Sequence, residues 1–96
     1  MTIFCVPAKE TSQHGWADVA IGPIAALGGR TLHVRFRTDT LSHLQVWRNQ
    51  SPGCHVLGIE PVSHRLAGRA DLIASGEMAD FAPGEAVSYG LSFELR

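Results

Sequence analysis

The sequence predicts an all-β fold, an antiparallel β-sandwich, on three observations. Apolar and polar residues alternate with a period of two in two long stretches, as side chains do on half-buried strands. Shorter runs rich in β-branched and aromatic residues lie between them. Glycine and proline turn signals separate these runs at short intervals, the pattern of a sandwich or barrel rather than of a βαβ unit.

In chain order, Ile3 to Val6 and Trp16 to Ile21 are short strand candidates, followed by the Gly22-Pro23 and Gly28-Gly29 breaks. Arg30 to Arg37 alternates cleanly: Leu32, Val34 and Phe36 would face a core while Thr31, His33, Arg35 and Arg37 face outward. Leu44 to Trp47 and His55 to Ile59 are two more short strands, divided by Ser51-Pro52-Gly53. Asp71 to Asp80 could be helical through Leu72, Ile73 and Met78, although Ser75-Gly76 interrupts it. Ala82-Pro83-Gly84-Glu85 is a tight turn into a final strand, Ala86 to Leu95, with Val87, Tyr89, Leu91, Phe93 and Leu95 on one face. Trp16 is expected in the core. No linker or repeat divides the chain, so residues 1–96 read as a single β domain.

Composition narrows the function. A chain of 96 residues buries only about two-thirds of the surface its unfolded form exposes, so modest stability is expected. Eight basic and nine acidic residues are mixed along the sequence, with a net charge of −1, and no basic stripe suits nucleic acid or an anionic membrane. The N-terminal apolar run is too short for a signal peptide or a membrane span, and a soluble cytoplasmic protein is expected. Cys5 and Cys54 lie far apart and read as free buried thiols. His14, His33, His43, His55 and His64 form no HxH or HExxH pair, so neither a metal nor another cofactor is signalled.

From Leu44 onward a more specific order emerges: Leu44-Gln45-Val46-Trp47-Arg48, then Val56-Leu57-Gly58-Ile59-Glu60-Pro61, Gly68-Arg69, Ala82-Pro83-Gly84-Glu85 and a strand ending Phe93-Glu94-Leu95. This order resembles the C-terminal portion of galactose-mutarotase-like (aldose 1-epimerase-like) proteins, in particular an uncharacterised branch with Trp-Arg, Gly-Ile-Glu-Pro and Gly-Arg segments. The specific motifs occupy the second half of the chain. The resemblance implies part of a larger antiparallel sandwich that binds a small-molecule sugar in an open cleft on a sheet face. It also implies that Glu60 is a general base at the anomeric hydroxyl. The general-acid histidine of such proteins lies farther upstream of the glutamate than the 59 residues before Glu60 allow, so the resemblance puts the acid outside this chain and leaves the chain alone inactive as an isomerase.

Read by their own chemistry, the candidate residues carry these roles with competing ones beside them. Glu60, flanked by Val56, Leu57, Ile59 and Pro61, is poised for function, paired with Arg48, Arg65 or Arg69, or exposed at a strand end. Trp47 could stack on the C–H face of a pyranose and Arg48 could donate to hydroxyls or to an acidic substituent. Being adjacent on a strand they point to opposite sides, so at most one faces the ligand; the alternative roles are core filling and solvation. His64 could donate to a sugar hydroxyl or stand as a surface histidine. Arg69 could hold a carboxylate or bind an anionic sugar, or pair with Asp71, Glu77 or Glu60 in a turn. Two other readings of the whole chain remain: a non-catalytic carbohydrate-binding or regulatory module, and a truncated remnant that forms homodimers through open strand edges.

Overall fold

The structure, a computed structural model, describes residues 2–8, 15–78 and 81–96. Six strands form two three-stranded antiparallel sheets, consistent with the expected all-β, sandwich-like fold. The first sheet has the order β1 (Thr2–Pro7), β4 (His43–Asn49), β5 (Val56–Val62). The second has the order β2 (Trp16–Ile24), β3 (Arg30–Arg37), β6 (Leu91–Leu95). A 3-10 turn at Ala25–Leu27 links β2 to β3, and one short helix, α1 (Arg69–Ala74), lies between β5 and β6.

Period-two alternation gives each sheet one apolar face. In the second sheet the register aligns Ala17 with Phe36 and Leu91, Val19 with Val34 and Phe93, and Ile21 with Leu32 and Leu95. In the first it aligns Phe4 with Val46 and Ile59, and Val6 with Leu44 and Pro61. The two faces meet at one corner, where Ala17, Phe36 and Leu41 are buried and Leu44 packs against them. Away from that corner the apolar faces open to solvent: Phe4, Val6 and Leu57 on one sheet and Leu91, Phe93 and Leu95 on the other are all exposed. The Cα radius of gyration, 15.7 Å, accordingly exceeds the roughly 12 to 13 Å of a compact chain this long.

The structure corrects four expectations. The last strand is Leu91–Leu95 rather than Ala86 to Leu95, because β3 supplies partners only from Leu32 to Phe36. Residues 86–89 have strand-like alternation but no ladder. The helical stretch begins earlier and ends sooner than Asp71 to Asp80; it stops before Ser75-Gly76, with Gly76 at φ 75°, and Asp80 lies outside the described residues. Trp16 is not in the core: it lies on the outer face of the second sheet, with the guanidiniums of Arg35 and Arg37 against its ring. Both cysteines are free, but Cys54 is exposed and Cys5 only half-buried. The Ala82–Glu85 turn forms as expected, closed by Glu85 N–H donating to the Ala82 carbonyl and Ala82 N–H donating to the Glu85 carboxylate.

Candidate functional site

Glu60 sits on the outer face of the first sheet, opposite the face that reaches the core. The β4–β5 register fixes its neighbours: Gln45 is directly across from it, Trp47 is across from Gly58, and His43 is across from Val62. On β1, Cys5 extends the Gln45–Glu60 row. Residues paired across strands or spaced two apart share a face, so Glu60, Gln45, Trp47 and His43 project together. All four are half-buried.

The Gln45 amide Nε2 donates to Glu60 Oε2 at 2.6 Å. The other carboxylate oxygen lies over Gly58, where a β-carbon would stand 3.0 Å from Oε1 and 3.6 Å from the Trp47 β-carbon. The missing side chain at position 58 is therefore the space the carboxylate occupies between Gln45 and Trp47. The partner of Glu60 is a neutral amide, not Arg48, Arg65 or Arg69. A neutral donor orients a carboxylate without cancelling its charge.

Of the other residues singled out from sequence, Trp47 shares the face of Glu60 and Arg48 does not. Arg48 is exposed on the opposite face, beside a separate hollow lined by Asn49, His55 and Leu57. His64 is half-buried just past β5, its Nδ1–H donating to the Arg65 carbonyl at 2.9 Å. It lines a cavity of about 340 Å³ together with Gln45, Pro61, Val62 and Tyr89, which connects it to the Glu60 row through Gln45. Its ring also borders an adjacent cavity of about 380 Å³, with Thr40, Glu77, Phe81 and Tyr89. Arg69 is the exposed first residue of α1, lines neither cavity and takes part in none of the ion pairs among the described residues.

Two residues of this face were not picked out from the sequence. Gln45 stands in the Leu44 to Arg48 segment, two residues from Trp47, and that spacing was the available signal. His43 is the histidine whose strand position is nearest to Glu60. The Ser42 hydroxyl donates its one proton to the Ser63 carbonyl at 3.0 Å, so the contact of 2.9 Å between Ser42 Oγ and His43 Nδ1 takes its proton from the ring. In neutral His43 that leaves Nε2 as the acceptor.

Glu77, which borders the second cavity, is held below the usual carboxylate range by the Ser75 hydroxyl and then by the Arg65 guanidinium, which donates through Nε to both oxygens at 2.8 and 3.0 Å. Among the described residues no three His, Cys, Asp or Glu side chains gather as a metal site. None of the described helices is long and apolar enough to cross a membrane.

The fold and the face together define an all-β protein of two small antiparallel sheets, one of which presents a carboxylate set between an amide and an indole. The chain matches, over residues 2–95, the family described as a domain of unknown function, DUF4432, and it belongs to that family. No curated protein and no solved structure matches it.

Proposed function

We propose that this chain forms part of a sugar-binding, aldose 1-epimerase-like protein in which Glu60 is the base at the anomeric hydroxyl. The observation that carries this reading is the Glu60 carboxylate held by Gln45 beside Trp47, on a sheet face that is not the core face. The C–H face of a pyranose suits the indole of Trp47, and its hydroxyls suit the amide of Gln45 and the ring of His64. In the reaction, Glu60 removes the proton of the C1 hydroxyl while an acid protonates the ring oxygen. The C1–O5 bond breaks to give the open aldehyde, rotation about C1–C2 exposes its other face, and reversal of the two proton transfers closes the ring as the other anomer. The resemblance of Gly58-Ile59-Glu60-Pro61 to the mutarotase segment supports this role for Glu60.

The test separates binding from turnover. Sugar affinity is measured by titration of the chain with galactose and glucose, and anomer exchange by polarimetry on the fullest natural protein that contains residues 1–96. Glu60→Gln is expected to retain binding and to lower exchange by about a hundredfold or more, as loss of a general base does. Unchanged exchange would remove Glu60 from the reaction. Sugar binding with exchange at the buffer rate in the fullest protein would instead assign a non-catalytic carbohydrate-binding module.

A further inference from the structure

The outer face of the second sheet carries a different chemistry. Its register sets Asp18, Arg35 and Ser92 in one row and Ala20, His33 and Glu94 in the next. Trp16 pairs with Arg37 at the end of the sheet, where the Arg37 N–H donates to the Gly90 carbonyl at 3.0 Å. Arg35 and Arg37 stand two residues apart on β3 and so project to the same side. Their guanidinium carbons lie 5.4 and 5.9 Å from the centre of the Trp16 ring, within cation–π range.

This arrangement holds two like charges against one indole, and their mutual repulsion favours an anion between them. Asp18 and Glu94 are committed elsewhere. Asp18, directly across from Arg35, turns to His33 Nδ1 at 3.1 Å. Glu94 takes two hydrogen bonds from Arg96, at 2.9 and 3.0 Å. Asp39 reaches Arg37 at 3.5 Å, with both side chains half exposed or more. Arg35 has no carboxylate within ion-pair distance among the described residues, and its neighbour on β6 is the neutral Ser92.

The stack is also built into the backbone. A β-carbon at Gly90 would lie 2.7 and 2.8 Å from Arg37 Cδ and Cγ and 3.1 Å from the Trp16 ring, so glycine there lets Arg37 lie down beside the indole. An open hollow of about 330 Å³ adjoins it, lined by Trp16, Arg37, Asp39, Ser88, Tyr89 and Gly90. Ser88 and Tyr89 bring hydroxyl groups to this hollow, and Asp39 brings the carboxylate that an anion at Arg37 would displace.

We propose that this face binds an oxyanion, the phosphate or carboxylate group of a small molecule, between Arg35 and Arg37. Trp16 gathers the two guanidiniums on one side of the sheet, Arg35 without a carboxylate partner among the described residues and Arg37 sharing its Nε with the exposed Asp39, and the fork geometry of arginine matches either anion. The site lies on the opposite sheet from Glu60 and does not depend on the sugar reading.

The test is titration of the full chain with inorganic phosphate, glucose 6-phosphate, glucuronate and, as the neutral control, glucose. It is followed by NMR at the Trp16 indole N–H and the arginine Nε–H signals. Saturable shifts of both sets with the anions and none with glucose are expected, weakening as salt is raised. Equal response to inorganic phosphate and glucose 6-phosphate identifies phosphate as the recognised group, and response to glucuronate alone identifies carboxylate. Arg35→Gln should weaken binding about tenfold, the loss of one charge-assisted hydrogen-bonding group, and Arg35→Lys should restore only part of it. Ser92→Asp, which sets a carboxylate across from Arg35, should abolish binding in a chain that still melts cooperatively. Glu60→Gln should bind these anions as the native chain does. No saturation with any of the anions, or equal binding by the native, Arg35→Gln and Ser92→Asp chains, would overturn the proposal and leave the Trp16 stack as a purely structural feature of the sheet.

Discussion

The outer face of the first sheet presents one carboxylate, Glu60, tied to a neutral amide, whereas the outer face of the second presents two guanidiniums drawn to an indole. Each face has a tryptophan, and each has a glycine whose missing side chain makes room for the charged group beside it: Gly58 for Glu60 and Gly90 for Arg37. The inner faces differ as well. The second sheet supplies Ala17, Val34 and Phe36 to the buried set, while the first reaches the core cluster through Leu44 and leaves Phe4 and Val6 exposed. The buried strand residues are therefore concentrated in the second sheet, with Leu41 and Leu72 buried outside both sheets.

The same deletion made in both sheets tests this division most strongly. Phe36 is 1% exposed and Phe4 is 48% exposed. Phe36→Ala should cost about 3 to 5 kcal/mol, enough to unfold a small chain of modest stability. Phe4→Ala should cost about 1 kcal/mol or less, since much of its surface stays in water. Urea melts of the two variants measure the difference, and equal costs would mean that both sheets share the core.

The paired glycines give a smaller effect. Gly90→Ala forces a β-carbon into Arg37 and the Trp16 ring and should cost on the order of 1 kcal/mol, with a change in Trp16 fluorescence as the stack is displaced. Gly58→Ala meets only the movable end of Glu60 and should change stability by roughly 0.5 kcal/mol or less. Its effect should appear instead as weaker sugar binding, read by the same titration that tests Glu60.

Acid titration gives the smallest contrast. Glu77, near the first sheet's cavities, and Glu94, on the second sheet, both titrate below the usual carboxylate range, Glu77 through Ser75 and Arg65 and Glu94 chiefly through Arg96. A carboxyl group lowered by folding adds stability that is present above its unfolded value and is lost as pH falls through its lowered folded value. Arg65→Gln should raise the Glu77 midpoint and leave that of Glu94 unchanged, as followed by side-chain carboxyl NMR. A rise at both would show that the two groups are coupled.

Much of the fold was legible because alternation reports directly on which side chains share a strand face. Arg30 to Arg37 forms β3 with the bounds its pattern indicated, and Leu32, Val34 and Phe36 do share the core-facing side. The pattern from Val87 to Leu95 was equally clear, yet only its last part pairs. Alternation records which side chains share a face, neither the presence of a neighbouring strand nor what covers that face: β3 ends before 87–89 can join it, and Leu91, Phe93 and Leu95 stay exposed. Trp16 shows the same limit. Size and apolarity suggested the core, but its pairing with Arg37 puts it on the polar face, where two cations use its ring.

At the candidate site the sequence by itself determined the carboxylate at Glu60, its apolar flanks, and the rule that Trp47 and Arg48 cannot face the same way. Which of them lies beside Glu60, and that Gln45 rather than an arginine holds it, depended on the β4–β5 register. The alternation of a strand is a property of its own backbone, whereas register is a relation between two segments, set by the turn that joins them and by the faces each must bury. For that reason the glutamate could be found in one dimension, and its partners only in three.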